Sequence, residues 1–358
     1  MGIALLLCPA IWASAVMGAG PFEFHSNFWL NLHHFLYEQA LHSPLPGNEL
    51  KGAEKIAWSK ALDFYRHSMI HHDLLFDPQM QSIDTGLTEK ETLPKLVVSG
   101  ADGGLSETLN SVAPIYRAHW WVNHDEANRR WIAAAAPMAR RYSPLLMKQL
   151  TAAYEAAWPG KAIRVDLSEY ANWAGAYTYT QGWGKIHEIV SSKETANQGY
   201  AALEILFHEA THGMVLSAAG RLAERIAAAA KSSGVKTPKD LVHIFIFYTA
   251  GELTSRALAS DGVNDYIPYA DKKGLYRQDW THWHNSIQVY WKRHLDGSLP
   301  LDKAVNQIVA ACKSRSAPLS DGGGSEASRG RERMAPIALP SRYLRPPPSV
   351  RGRGAHQP

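Results

Sequence analysis

Cysteine is nearly missing from this chain: its 358 residues contain only Cys8 and Cys312, close to opposite ends. A disulfide framework is thereby excluded, and so is a cysteine-rich zinc site. Any metal has to be held by histidine and carboxylate, and 17 histidines make that question worth pursuing. Charged side chains are absent from residues 1–22. Excess positive charge is missing from the body as well. Although the net charge is +4, residues 313–358 carry nine Lys or Arg against Asp321, Glu326 and Glu332, which leaves the first 312 residues net negative. A folded body of that sign is not built to grip phosphate, so nucleic acid is not expected as its partner.

The uncharged start is itself informative. Ile3–Met17 is an apolar run followed by Gly18, Ala19 and Gly20, with Ala13-Ser14-Ala15 as an A-x-A cleavage pattern and Ala19 as a second option. Residues 1–20 thus read as a signal peptide, which implies a secreted or periplasmic protein. An uncleaved anchor giving membrane attachment is the alternative, because the run is near the shortest that spans a bilayer. From residue 313 the composition turns to Arg, Pro, Gly and Ser, with Gly322-Gly323-Gly324 and Pro346-Pro347-Pro348. Such a segment buries too little apolar surface to offset its chain entropy and is expected to be a disordered basic tail. The domain expected to fold is 21–312.

Within it, Phe24, Phe28, Leu32 and Leu36 recur at helical spacing, and a second helix is expected over about 53–76. Residues 77–103 look irregular, and helices follow near 106–117, 123–136 and 144–157. The period then changes. Ala162–Leu167, Ala174–Thr180 and Lys185–Val190 are short, rich in Tyr, Ile, Val and Thr, and separated by turns, as in a small antiparallel meander. Helices return near 197–218, 220–231, 239–259, 280–294 and 301–312. The expected class is α+β, mostly helical, with the sheet directly preceding the helix that carries the chemistry.

That helix contains Phe207-His208-Glu209-Ala210-Thr211-His212-Gly213. Residues four apart on a helix project from one face, so both imidazoles can reach one ion. A catalytic zinc ion keeps one position of its tetrahedral shell open for water. Glu209, beside that position, can take the proton from the water. The flanks Leu206, Phe207, Ala210, Thr211 and Met214 are uncharged, as a buried active-site helix requires.

On this H-E-x-x-H helix, with a small sheet before it, the sequence resembles the zincin metallopeptidases. Val215 and Ala218 stand where a metzincin has Gly and His, and no G-T-x-x-D follows. The resemblance is therefore to the gluzincins, over about residues 150–260, and it implies a Zn2+-dependent peptidase acting on a peptide or protein substrate. It further implies a third ligand, a Glu on a later helix. Glu252, at the end of the apolar run Leu241–Gly251, is the best match, since a buried carboxylate needs a partner. Its plain structural role would be an ion pair with Arg256, four residues on. Glu224, between Arg221 and Arg225, is a weaker rival and reads as solvated. The expected metal ligands are then His208, His212 and Glu252, with Glu209 as base.

A peptidase also needs a donor for the oxyanion. Tyr266, Tyr269, Tyr276, His282 and His284 are candidates, and Tyr269 is preferred. Strands 174–180 and 185–190 both offer edges on which an extended peptide could dock. Two other readings remain: an inactive zincin-like protein that binds a peptide or partner, and a helical protein whose motif is accidental. His33, His34, His119 and His124 are expected to be packed or hydrogen-bonded side chains, and His67 with His71 lacks an intervening acid.

Overall fold

The structure is a computed structural model that describes residues 17–42, 50–98, 103–160, 162–180, 186–215, 221–236, 240–278 and 280–311. The A-x-A pattern at 13–15, both cysteines, Lys185 and the basic tail lie outside these residues. Strands β1 (Met17–Ala19) and β2 (Phe22–His25) come first, followed by helices α1 (Phe28–Leu41), α2 (Gly52–Ser68), α3 (Pro78–Thr88), α4 (Leu105–Tyr116) and α5 (Val122–Tyr154). Next are β3 (Ile163–Ser168), β4 (Ala176–Thr180) and β5 (Ile186–Ser191), then α6 (Tyr200–Val215), α7 (Leu222–Ser233) and α8 (Leu241–Ala259). Short helices α9 (Tyr269–Lys272), α10 (Leu275–Gln278), α11 (Thr281–Ser286) and α12 (Lys292–Leu295) lead to α13 (Leu301–Ala311).

The α+β class stands, but the sheet is not an antiparallel meander. Its five strands run in the order β1-β2-β3-β5-β4, with β1 antiparallel to β2, β2 and β5 both parallel to β3, and β4 antiparallel to β5. The difference has two sources: β3 pairs in parallel with β5 instead of lying beside β4, and two unexpected strands, β1 and β2, extend the sheet. Phe24 belongs to β2 rather than to the first helix, and Met17–Ala19, the last residues of the expected leader, pair with it as β1. Strand β5 lies inside the sheet, so of the two expected docking edges only β4 is one.

Helices cover both faces of the sheet. On one face Phe22, Phe24, Ile163, Val165 and Leu167 pack with the apolar sides of α5, α6, α7, α8 and α13. On the other, Tyr177, Tyr179 and Ile189 pack with α1, α2, α3 and α4. Strand alternation produces the division: along β3 the apolar Ile163, Val165 and Leu167 point one way and Arg164, Asp166 and Ser168 the other. Local chemistry starts the helices. The Asn27 side chain accepts from the N–H groups of Trp29 and Leu30 at 2.9 and 3.1 Å and begins α1. Asp77 accepts from Gln79 N–H at 2.8 Å, and Pro78 fills the first position of α3, inside the stretch expected to be irregular. The helices expected at 123–136 and 144–157 form one element, α5, with Pro137 and Pro144 both inside it. Among the described residues no helix is long and apolar enough to cross a membrane.

Candidate metal centre

Helix α6 is buried along most of its length, from Ala202 to Val215, between the sheet and α8. It is apolar all round, as a core helix is, and the few polar side chains it buries have to be satisfied there. His208 and His212 place their Nε2 atoms 3.3 Å apart. The third member of the group is His243, in the first turn of α8, whose Nε2 lies 3.3 Å from that of His208. Two nitrogens bound at about 2.0–2.1 Å to one tetrahedral ion stand about 3.3 Å apart, so the spacing suits a common divalent cation. Burial holds all three rings neutral: His212 is lowered to about 4, and His208 and His243 fall well below the ordinary value, helped by their imidazole neighbours. Neutral imidazole is the form that binds metal. His208 Nδ1 is buried with no partner among the described residues, so that ring is held by packing and by what its Nε2 meets.

Glu252 is not part of this group, which corrects the expected ligand set. His243 and Glu252 are nine residues apart, half a turn out of phase and about 13 Å apart along the axis, so the two cannot reach one ion. Glu252 instead pairs with Arg256 at 2.7 Å and Lys292 at 2.6 Å, which hold its carboxyl below the usual range despite partial burial. The signal for His243 was present in the sequence as the only histidine in the apolar run 241–251.

Glu209 turns toward the sheet, and its Oε2 accepts from the Thr178 hydroxyl of β4 at 2.8 Å. Burial raises its pKa to about 7, against the opposing pull of that hydrogen bond. Directly across the β4–β5 ladder from Thr178 is Glu188, wholly buried, with neither carboxylate oxygen bonded among the described residues. Burial, and then the proximity of Glu209, push Glu188 well above the ordinary range and keep it protonated. One turn before His208, Glu204 accepts from the Tyr266 hydroxyl and from the Tyr269 backbone N–H at 3.0 Å.

Tyr269, preferred as the oxyanion donor, reaches this neighbourhood through its ring. Its ring stacks on Phe247 at 5.8 Å, and Phe247 in turn lies 4.1 Å from the His208 ring and 4.6 Å from that of His243. Burial, followed by the charges of Glu194, Glu204 and Glu209, raises the Tyr269 phenol to about 12, which keeps it a proton donor. Trp280 closes the same wall, 6.1 Å from His243 and 5.6 Å from Phe247. His212 and His243 retain partly exposed surface, so the group opens outward on their side while His208 lies at its base.

The sequence motif thus gave two of the three metal-binding candidates and the neighbouring carboxylate, and the fold supplied the third from another helix. Comparison with known proteins finds no family model, no curated protein and no solved structure that matches this chain.

Proposed function

We propose that the protein is a zinc-dependent hydrolase of peptide bonds, with His208, His212 and His243 as ligands and Glu209 as general base. The reading rests on one observation: the neutral imidazoles of His212 and His243, from two helices, each place Nε2 3.3 Å from that of His208, next in sequence to a buried glutamate anchored to an edge strand. Three nitrogen ligands leave one position of a tetrahedral zinc free, and zinc held there would supply Lewis-acid polarisation of water and substrate carbonyl.

The chain's own residues supply the rest. Strand β4 ends the sheet, and its outer side has no neighbouring strand among the described residues. An extended peptide added there would run past Thr178, the residue that positions Glu209. Glu209 takes a proton from the attacking water and delivers it to the amine nitrogen as the C–N bond breaks. Its raised pKa suits both steps near neutral pH. Tyr269, still carrying its proton and stacked on the Phe247 ring that packs against His208, is the phenol assigned to the oxyanion. The apolar start of the chain supports a secreted or periplasmic setting.

Metal content and turnover measured on four proteins test the proposal. Glu209→Gln is expected to retain the wild-type zinc content and to lose at least 1,000-fold in kcat, about the upper range for a general base. His243→Ala is expected to lose one equivalent of zinc and all turnover. Glu252→Gln should keep both, at a stability cost of about 1 kcal/mol or less for a half-exposed ion pair. Zinc retained by His243→Ala and lost by Glu252→Gln would overturn the ligand set. A zinc-loaded wild type that cleaves no member of a broad peptide library, but captures some of them, would establish the binding protein instead.

A further inference from the structure

A second group of metal-binding side chains lies on the other side of the sheet. His33 and His34 on α1 and Asp84 on α3 are fully buried, and their donor atoms lie within 4.8 Å of one another. The hydrogen positions follow from their neighbours. His34 Nδ1 is 3.0 Å from the carbonyl oxygen of Tyr170, which can only accept, so this nitrogen carries the hydrogen. In the neutral ring Nε2 is then a bare lone pair. It faces Asp84 Oδ1 at 3.2 Å, where a second acceptor stands. The Tyr177 hydroxyl does not resolve the conflict, because its single hydrogen goes to Asp84 Oδ2 at 2.7 Å while its oxygen stands 3.2 Å from His34 Nε2.

His33 adds a second unsatisfied nitrogen. Its Nδ1 is bonded to the Tyr65 hydroxyl at 2.7 Å, and its Nε2, buried and without a hydrogen-bond partner among the described residues, lies 3.9 Å from Asp84 Oδ1. The His34 Nε2 lone pair facing a carboxylate in a buried interior calls for a positive charge between them, and His33 Nε2 is a second lone pair there when its Nδ1 donates to the Tyr65 hydroxyl. The spacings of 3.2 and 3.9 Å bracket the roughly 3.3 Å expected between ligands of a tetrahedral ion. The far nitrogens are anchored by a carbonyl and a hydroxyl, as the outer nitrogens of metal-bound imidazoles usually are.

We propose that His33, His34 and Asp84, with the Tyr177 oxygen in the fourth position, form a second, closed site for a divalent transition-metal ion of the zinc type. Two nitrogens and two oxygens suit zinc, and a filled shell without access to solvent makes the site structural. The ion ties α1, α3 and β4 together. Since the group is sealed, loading accompanies folding, and the ion stabilises the folded chain by mass action. The competing arrangement places a proton on His34 and leaves an imidazolium–carboxylate pair.

The test isolates this group by disabling the other. Full-length protein carrying His212→Ala and His243→Ala is unfolded, refolded with and without zinc, freed of loosely held metal by gel filtration, and analysed for metal. One equivalent per chain is expected after refolding with zinc, with a higher thermal midpoint than the metal-free sample. Adding Asp84→Asn or His33→Gln should reduce that equivalent to near zero and abolish the zinc-dependent shift in midpoint. Should the double variant fail to refold, Asp84→Asn in the otherwise wild-type chain decides the matter by holding one equivalent fewer than the wild type. No zinc bound by the double variant, with the same midpoint either way, or an unchanged zinc content when Asp84→Asn is made in the otherwise wild-type chain, would overturn the second site and leave the charge to a proton. These outcomes do not depend on hydrolytic activity, so this site and the proposed peptidase can fail separately.

Discussion

Glu204 shows how a single buried carboxyl shapes the region around the imidazoles. It lies one helical turn before His208, wholly within the core, and burial raises it to about 7 although the Tyr266 hydroxyl and the Tyr269 N–H favour its charged form; Asp271 adds to the rise. Between its ordinary value of 4.5 and about 7 the folded chain keeps this proton and the unfolded chain releases it. The contribution of Glu204 to stability therefore falls as pH rises through that window and is level on either side. Its full span is up to about 3 kcal/mol, since each pKa unit corresponds to about 1.4 kcal/mol. Glu204→Gln is expected to remove that slope, so that the difference in unfolding free energy between variant and wild type grows by one to three kcal/mol from about pH 5 to about pH 8 in favour of the variant. Parallel pH profiles for the two proteins, from denaturant titration, would contradict this. Residue identity alone made His208, Glu209 and His212 legible, because their spacing on one helical turn is a local property. Choosing His243 over Glu252 needed the phase of α8 against α6, and no local pattern contains that.

The close contact between α6 and β5 depends on Gly213, immediately after the second histidine of the motif. A Cβ there would stand 2.2 Å from Ile186 Cδ1 and 2.7 Å from its Cγ1, with the Pro159 ring at 3.5 Å. Gly213→Ala is expected to cost about 1–3 kcal/mol through overpacking and to tilt the turn that carries His208 and His212. Calorimetry should show a lower midpoint for the alanine variant, part of it recovered when Ile186 is also cut back to Ala. An unchanged midpoint would mean that the helix can move away freely. Most of the individual helices were readable from apolar periodicity, and the three strands at 163–168, 176–180 and 186–191 from their composition. What misled was punctuation. Two helices, 123–136 and 144–157, were expected where α5 runs through both Pro137 and Pro144, because packing on the sheet and on α6 and α8 outweighs the lost backbone bonds. Asp77-Pro78, read as an end, is also a beginning, since the same pair caps α3.

For the molecule as a whole, the unexpected participants are the two strands at the start of the described chain. Ala19 of β1 is fully buried, the Arg140 guanidinium donates to the Gly18 carbonyl at 3.2 Å, and Gly20, at φ +66°, passes close to Ser143. Processing after Ala15 would leave this strand in place, whereas processing after Ala19 would remove it. A chain starting at residue 16 is expected to match the full-length protein in thermal midpoint, and one starting at residue 21 to melt several degrees lower. Equal midpoints for the two truncated chains would remove β1 from the account of stability.

Composition and local spacing by themselves determined that any metal would have to be held by histidine and carboxylate, that one helix would carry two candidate ligands beside a glutamate, and that the class would be α+β. These properties are fixed within a turn of helix or a few residues of strand. Tertiary structure alone decided that the sheet is mixed, that Glu252 faces Lys292 rather than the motif, and that His243 completes one group while His33, His34 and Asp84 assemble another. Each of those outcomes depends on how separate elements are rotated and stacked, and that is set by burial of the whole apolar surface at once.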